Sequence, residues 1–398
     1  MFATLRFLLA LVVSVLAIPG VSLADKKYDP GVSDTEIKIG QTMPFSGPAS
    51  AYSTIGRAEA AYFAKVNDEG GINGRKINLI ALDDAYSPPK TVEQTRRLVE
   101  HDEVLLIFGS LGTAGASAVQ KYLNARKVPQ LFISTVASKW DDPQHYPWTM
   151  AISAPPKVDA QLYARYLLAH YPNAKIGVLF QNDDYGRDYL KALRDSLKDK
   201  ASAMIVAEVS YEAADPTVDS QLVTLKASGA DTLFTFANPK SAAQAIRKVR
   251  DMSWKPLYFL NYSLASVDTV LKPAGLDKSA GIISAQNLKD PSDSQWNDDP
   301  ETKRYFAWMK KYYPEGDASD LYNASGYNTA YAMVYVLKQC GDDLTRENVM
   351  KHAANLQKLE LPMLLPGITI STSPADYAPI KQVHLKRFDG KKWVPLPE

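Results

Sequence analysis

Two runs of alternating strand-like and helix-like segments constrain the fold of this chain more than any other feature of its sequence. The first run has strand patterns at 37–40, 77–82 and 104–108, with helix patterns at 51–69, from Pro88 onward and at 113–126. The second run has strand patterns at 176–180, 204–209 and 232–236, with helix patterns at 158–170, 185–198 and 218–228. Strands and helices that alternate at this spacing form parallel sheets with right-handed crossovers. The chain is therefore predicted to be an α/β protein with two doubly wound parallel-sheet lobes.

The C-terminal third is less regular than the two runs. It has helix patterns at 301–313, 319–338 and 345–356 and a strand pattern at 383–388, and no Gly/Ser-rich linker. A chain that crosses between two lobes several times has this appearance, because a hinge needs only a few extended residues.

The first 24 residues have the composition of a secretory signal peptide. Arg6 precedes an apolar run at 7–18, and Ser22-Leu23-Ala24 has the small-x-small pattern of a cleavage site. The run is shorter than the roughly 20 apolar residues that a spanning helix needs. We therefore expect export and cleavage after Ala24. Because no Cys follows Ala24, the mature end cannot carry a lipid anchor, and a free exported protein implies a periplasm enclosed by an outer membrane.

Charge and cysteine content restrict the partners of the chain. The formal net charge is +1, which leaves no basic surplus for nucleic acid or for an anionic membrane. We therefore expect a small, specific ligand. Cys340 is the single cysteine, so no intramolecular disulfide forms, and a buried inert thiol is predicted.

No motif for catalysis, metal binding or cofactor binding is found. The five histidines are scattered: His101, His145, His170, His352 and His384. They show no metal-ligand spacing. Gly109, Gly112 and Gly115 form G-x-x-G-x-x-G, which is neither the dinucleotide fingerprint nor a P-loop. There is also no G-x-S-x-G elbow. We predict no enzyme activity, no metal and no cofactor.

The loop after the third strand is a candidate binding element. In an open α/β sheet, ligands bind beyond the carboxyl ends of the strands. The loop at 109–114 enters a helix there, and the free N–H groups of a helix start can hold a carboxylate. Ordinary N-capping by Ser110 or Thr113 explains the same residues, and composition alone leaves the two interpretations open.

An ordered set of motifs resembles the leucine/isoleucine/valine-binding protein family of periplasmic solute-binding proteins. The resemblance begins with Gln41-Thr42-Met43-Pro44-Phe45-Ser46-Gly47-Pro48 and Glu69-Gly70-Gly71-Ile72-Asn73-Gly74. It continues through Asp83-Asp84-Ala85, 129–138 and Tyr185-Gly186 to the strand near Val383. It covers nearly the whole chain after residue 24.

The resemblance implies two lobes joined by three crossovers, which close over a small carboxylate ligand and deliver it to an inner-membrane ABC permease. We expect the protein to be a monomer. By position, the crossovers fall near Ser153, Gln286 and Pro366. The first lobe then comprises 25–153 and 287–365, and the second comprises 154–286 and 366–398.

The resemblance also implies a set of ligand-binding residues. Tyr52 occupies the position of an aromatic residue that packs on the ligand, and Tyr185 faces the cleft from the second lobe. The cluster that holds the ligand carboxylate falls on Ser110, Gly112 and Thr113, supported by Ala137 and Ser138.

Two departures from the family pattern bear on the ligand and on stability. Tyr262 occupies the position where amino-acid binders place a carboxylate for the ligand's ammonium, and a buried ammonium without a counter-charge costs several kcal/mol. With Tyr322, the cleft loops then carry four tyrosines that suit an aromatic acid, although these are only four of 22 in the chain. Some members of the family have a disulfide in the first lobe. Here its cysteine positions fall on Tyr86 and near Gly109, so packing must stabilise this lobe.

Three functional hypotheses remain after this comparison. Uptake of an aromatic acid is favoured, and binding of a branched-chain amino acid is the alternative. A ligand-sensing receptor subunit is a third reading, because relatives of this family also regulate transcription or gate receptors.

Overall fold

The computed structural model describes residues 26–397, so the predicted signal peptide lies outside the described residues. The strands are β1 (Lys27–Tyr28), β2 (Glu36–Met43), β3 (Lys76–Asp83), β4 (Leu106–Phe108), β5 (Gln130–Ile133), β6 (Thr149–Ala151), β7 (Ile176–Gln181), β8 (Ile205–Tyr211), β9 (Thr232–Phe236), β10 (Leu257–Leu260), β11 (Ile283–Gln286), β12 (Asp343–Leu344), β13 (His384–Phe388) and β14 (Trp393–Pro395).

The helices alternate with these strands through most of the chain. They are α1 (Ser53–Asp68), α2 (Pro88–Glu100), α3 (Thr113–Ala125), α4 (Pro156–His170), α5 (Asp184–Leu197), α6 (Ala201–Met204), α7 (Asp219–Ala227), α8 (Pro239–Asp251), α9 (Lys272–Ala274), α10 (Leu276–Ser279), α11 (Pro300–Tyr312), α12 (Leu321–Cys340) and α13 (Arg346–Ala353).

The first lobe is built on a five-stranded sheet in the order β3-β2-β4-β5-β6. All four strand pairs are parallel. Leu106, Ile107 and Phe108 are consecutive residues of the central strand β4, and all three are buried. Burial on both faces explains why such strands read as apolar runs in the sequence.

The second lobe is built on a seven-stranded sheet in the order β14-β13-β11-β10-β9-β7-β8. The strands from β8 to β11 are parallel, and β13 and β14 add an antiparallel edge. Phe234 on β9 pairs with Phe259 on β10, and their rings stack 4.6 Å apart. The predicted pair of doubly wound parallel-sheet lobes is confirmed, and the antiparallel edge is an addition to it.

Three crossings join the lobes. The first lies between β6 and α4, and the second follows β11, where Leu365 N donates to Asn287 O. After Pro366 the chain still contacts the first lobe, since Tyr377 N donates to Asp141 Oδ1 at 2.7 Å and its hydroxyl donates to Pro147 O. The third crossing therefore lies between Tyr377 and β13, later than the boundary at Pro366 that the sequence analysis predicts.

Helices α1 and α12 cross closely at Gly326. A Cβ atom at this glycine would lie 2.5 Å from the carbonyl oxygen of Ile55 and 2.9 Å from the Cβ of Ala58. Only a residue without a side chain permits this approach. The contact fixes the N-terminal ends of the two helices next to each other, which is where Tyr52 and Tyr322 lie.

Asp159 on α4 is a buried acid surrounded by tyrosines. Its Oδ2 accepts hydrogen bonds from Tyr262 N at 3.2 Å, from the Tyr189 hydroxyl at 3.3 Å and from the Tyr163 hydroxyl at 3.4 Å. Its Oδ1 has no hydrogen-bond partner among the described residues. Burial raises the pKa of Asp159 to about 7, although these hydrogen bonds oppose the shift.

Gly326→Ala is expected to lower the free energy of unfolding by about 1–3 kcal/mol, the usual cost of overpacking, because its Cβ meets the backbone of α1. Urea unfolding measures this change. Gln339→Ala, at an exposed position on the same helix, serves as the control and should lie within about 0.5 kcal/mol of wild type. Equal stability of both variants would contradict close packing at Gly326.

Asp159→Asn is expected to flatten the pH dependence of stability. Between about pH 4 and pH 7 the folded state retains a proton that the unfolded state releases, so the free energy of unfolding falls as the pH rises. A pKa of about 7 instead of 3.8 corresponds to a loss of at most about 4 kcal/mol above pH 7.

Urea unfolding of this variant at pH 4, 6 and 8 checks the slope. Asp199→Asn, at an exposed site, should leave the profile of the wild type unchanged. Parallel profiles for wild type and Asp159→Asn would show that Asp159 does not titrate in this range.

Candidate ligand-binding cleft

A cavity of about 130 Å³ lies between the two lobes. Its wall is formed by loops that follow strands of both sheets. The first lobe contributes Leu111, Gly112, Ser134, Thr135 and Val136, and the second contributes Gln181, Ala237, Asn238, Tyr262 and Ser263. This is the carboxyl edge of each parallel sheet, where α/β folds place their ligands.

The wall of this cavity is uncharged. Among residues 26–397, no Asp, Glu, Lys, Arg or His side chain lines it. Its polar groups are hydroxyls, side-chain amides and backbone groups, and the remaining surface is aliphatic or aromatic. A charged group of a ligand would therefore have only dipoles to interact with.

Five tyrosines line the cavity: Tyr52, Tyr86, Tyr185, Tyr262 and Tyr322. The rings of Tyr52 and Tyr322 lie 4.9 Å apart at an angle of 49°. Burial raises the pKa of Tyr52 to about 12, so its hydroxyl is neutral at physiological pH. The tyrosines present flat faces and neutral hydroxyls to the space between the lobes.

The second-lobe tyrosines are held by backbone groups. The Tyr185 hydroxyl lies 3.1 Å from the carbonyl oxygen of Ala237, and the Tyr262 hydroxyl donates to Ala154 O at 3.2 Å. Position 186 requires a glycine, because a Cβ there would lie 2.1 Å from the carbonyl oxygen of Gln181. The first turn of α5 thus packs directly on the end of β7 and fixes the Tyr185 ring in the wall.

Five of the residues predicted from the sequence lie in the wall: Tyr52, Gly112, Tyr185, Tyr262 and Tyr322. Four others lie outside it: Ser110, Thr113, Ala137 and Ser138.

The four outside residues have structural contacts. The Ser110 Oγ accepts from the Thr42 Oγ1 at 2.9 Å, and the Thr113 hydroxyl is hydrogen bonded to that of Thr135. Ala137 packs in a small apolar cluster with Trp140. Ser110 and Thr113 therefore support the wall from behind rather than forming it.

Tyr86 is a wall residue that the sequence analysis considered only as a replacement for a cysteine. Its hydroxyl accepts from Gln181 Nε2 at 3.2 Å, a bond between the two lobes. Gly112 has a φ of +105°, and a Cβ there would lie 2.7 Å from the Tyr86 ring. The glycine thus lets the Tyr86 ring lie against the start of α3.

Further hydrogen bonds join the lobes around α5, at a contact that we name the α5 latch. Asp184 Oδ2 accepts from the Ser117 Oγ at 3.2 Å and from the Lys139 Nζ at 3.1 Å. Asp188 Oδ2 accepts from Ser138 N at 2.6 Å. Ser138, predicted as a ligand residue, thus lies in a contact between the lobes.

A second contact, which we name the α12 latch, joins the lobes at the start of α12. Asp320 accepts from the Ser266 Oγ at 2.9 Å and from the Thr269 Oγ1 at 2.8 Å. The Tyr322 hydroxyl donates to Ser263 O at 2.9 Å. Burial raises the pKa of Asp320 above its usual range. With both latches formed, the structure has its lobes closed.

None of the five amide side chains in the wall was predicted as a site residue, and two of them are incompletely hydrogen bonded. Gln286 and Asn328 are buried, with 2% and 4% exposure. Neither Nε2 nor Oε1 of Gln286, nor Nδ2 of Asn328, has a hydrogen-bond partner among the described residues. The sequence pattern marked Gln286 only as a crossing, and no signal in it indicated Asn328.

Within residues 26–397, no helix has the length and apolar character to cross a membrane, and no three His, Cys, Asp or Glu side chains group as metal ligands. Cys340 is buried as predicted, and burial raises the pKa of its thiol to about 12.

Comparison with known proteins adds a family and a fold. The family model described as periplasmic binding protein matches residues 36–392. The Leu/Ile/Val-binding protein homolog 7 of Brucella abortus is 24% identical over 245 residues, which cover 59% of this chain and 61% of that protein. The Leu/Ile/Val-binding protein homolog 1 of the same organism is 22% identical over 333 residues, covering 82% of this chain and 85% of that protein.

Solved structures with the same fold include two with named ligand classes. A branched chain amino acid ABC transporter protein from Thermus thermophilus, with bound valine, superposes with a TM-score of 0.82 at 15% identity, covering 92% of this chain and 97% of that one. A fatty acid ABC transporter substrate-binding protein from Thermomonospora curvata has a TM-score of 0.76 at 23% identity, covering 93% and 94%. The chain belongs to the periplasmic binding protein family, as a type I member of the Leu/Ile/Val-binding group.

Proposed function

We propose that this protein is the periplasmic substrate-binding component of an ABC uptake transporter and that it binds a small aromatic carboxylate between its lobes. The observation that supports this ligand class is the wall of the closed cavity, which has five tyrosines and no charged side chain among the described residues. The family relationship supports the transport role.

The size of the cavity suits a single aromatic ring. Its volume is about 130 Å³, close to the roughly 150 Å³ of an apolar cavity known to bind benzene. Tyrosine rings interact with another ring by offset or edge-to-face contacts, which contribute about 0.5–1.5 kcal/mol each beyond burial. Tyr52 and Tyr322 already form a tilted ring pair in the wall.

The uncharged wall disfavours an amino-acid ligand. The ammonium of a buried amino acid needs a carboxylate partner, and without one its burial costs several kcal/mol. Tyr262 stands where the family pattern has that carboxylate, and Asp159 lies behind Tyr262 with no exposed surface. A branched-chain amino acid is therefore the second candidate, and the first experiment below separates the two.

We place the ligand carboxylate at the start of α3. Leu111 and Gly112 line the cavity there, next to Ser134 and Thr135. The N-terminus of this 13-residue helix carries a partial positive charge, and its first N–H groups are free of intrahelical partners. Hydroxyls and N–H groups can solvate a carboxylate without a cation. Ser110 and Thr113 hold this loop in place.

Ligand binding and closure are coupled in this arrangement. A ligand shifts the equilibrium toward the closed form only by contacts that it makes better in that form. Tyr185 and Tyr262 come from the second lobe, so their contacts exist only after closure. The α5 and α12 latches stabilise the same state, and a permease that recognises closed lobes then receives the loaded protein.

Thermal shift with two ligand panels tests the ligand class, because a ligand that binds only the folded protein raises its melting temperature. Benzoate-type acids should raise the melting temperature of wild type, and leucine, isoleucine and valine should not. Tyr262→Glu should weaken benzoate binding by at least about tenfold, because it places a negative charge in the wall. Tyr262→Phe keeps the ring and is the matched control. Stabilisation by leucine and not by benzoate would overturn the proposal.

Asp188→Ala tests the α5 latch. We expect benzoate to bind about 3- to 10-fold more weakly, since a hydrogen bond of the closed state is lost, and the dissociation rate to account for most of the change. Stopped-flow and calorimetry measure both quantities. Asp195→Asn, which changes an exposed acid on the same helix paired with Lys191, should have no effect. An unchanged affinity in Asp188→Ala would mean that the latch does not favour closure.

A further inference from the structure

The amide of Gln286 is the most poorly satisfied polar group of the cleft. It lines the cavity, it is 2% exposed, and both its nitrogen and its oxygen lack hydrogen-bond partners among the described residues. A buried polar atom without a partner destabilises the folded protein. Most buried polar groups in proteins have a partner. A partner outside the protein chain is therefore indicated.

Asn328 presents a second unpaired group to the same cavity. Its Oδ1 accepts from Met363 N at 2.9 Å, so the amide orientation is set and Nδ2 is left without a partner among the described residues. Amide orientation is often ambiguous, but a backbone N–H donor identifies the oxygen here. Asn328 is therefore a free donor, whereas Gln286 offers both a donor and an acceptor.

The two amides lie at the hinge end of the cavity. Gln286 ends β11, and the next residue, Asn287, accepts from Leu365 N at 2.8 Å. Two residues later, Lys289 N donates to Met363 O, also at 2.8 Å, and Met363 is the residue that Asn328 holds. These hydrogen bonds thus connect the segment that follows Gln286 with the segment that Asn328 binds. The start of α3, where the proposed carboxylate binds, belongs to a different part of the wall.

We infer that Gln286 and Asn328 bind a hydroxyl group of the ligand, so that the substrate class is hydroxylated aromatic acids. This inference rests on the proposed function. A hydroxyl both donates and accepts, so it can accept from Asn328 Nδ2 and donate to Gln286 Oε1. A second carboxylate would offer only acceptors and would bring another charge into an uncharged wall. An apolar group would leave all of these amide atoms unpaired.

Isothermal titration of the whole protein with benzoate and with the meta and para hydroxybenzoates tests this inference. Wild type should bind one hydroxylated acid about tenfold more tightly than benzoate, the gain from pairing buried amides. Gln286→Leu should bring the two affinities to within about twofold of each other. The circular dichroism spectrum and cooperative thermal unfolding of the variant show that it is folded.

Gln339→Leu is the matched control, because it makes the same amide-to-apolar change at an exposed position on α12, away from the cavity. It should keep the preference for the hydroxylated acid. Equal binding of benzoate and both hydroxybenzoates by wild type, or an unchanged preference in Gln286→Leu, would overturn the inference and leave the proposed function intact. Failure of all three acids to bind would overturn both.

Discussion

The polar groups that two closing lobes bury must find partners, and this requirement organises the cleft. Some partners lie across the gap, since the Tyr322 hydroxyl donates to Ser263 O and Gln181 Nε2 donates to the Tyr86 hydroxyl. Such bonds form only when the lobes meet, so they favour closure without a ligand. At Gln286 the closed protein supplies no partner among its described residues. A ligand that supplies one favours the closed form, which couples binding to the conformational equilibrium.

Charge is distributed around the cleft but kept out of its wall. Asp184, Asp188 and Asp320 lie in the latches, where hydroxyl, ammonium and N–H donors hold their carboxylates. The wall between them relies on tyrosine faces and neutral hydrogen-bonding groups. Selection by shape and hydrogen bonding suits a polar aromatic molecule, because a site built to pair a hydroxyl rejects an analogue that lacks it.

Structural features that depend on the local sequence pattern were predictable, whereas features that depend on residues distant in the sequence were not. Alternating strands and helices were predictable because each apolar run reports burial on both faces of its own strand. The place of Gly112 was predictable from the loop position. The Ser110 hydroxyl was not, because its direction depends on Thr42 on another strand. The third crossing was predicted near Pro366, too early in the chain. The contact between Tyr377 and Asp141, which keeps this segment on the first lobe, cannot be read from the sequence.

Asp159 connects the identity of the residue at position 262 with the charge of the ligand. Its carboxylate accepts from the backbone N–H of Tyr262, so it lies directly behind the wall. An ionised acid there would attract an ammonium and repel a carboxylate. Burial instead raises the pKa of Asp159 to about 7, so the acid is largely neutral in mildly acidic surroundings. An acidic ligand in the cleft raises this pKa further, because like charges disfavour ionisation. A carboxylate close to this wall would therefore favour the protonated form of Asp159, whereas an ammonium would favour the ionised form.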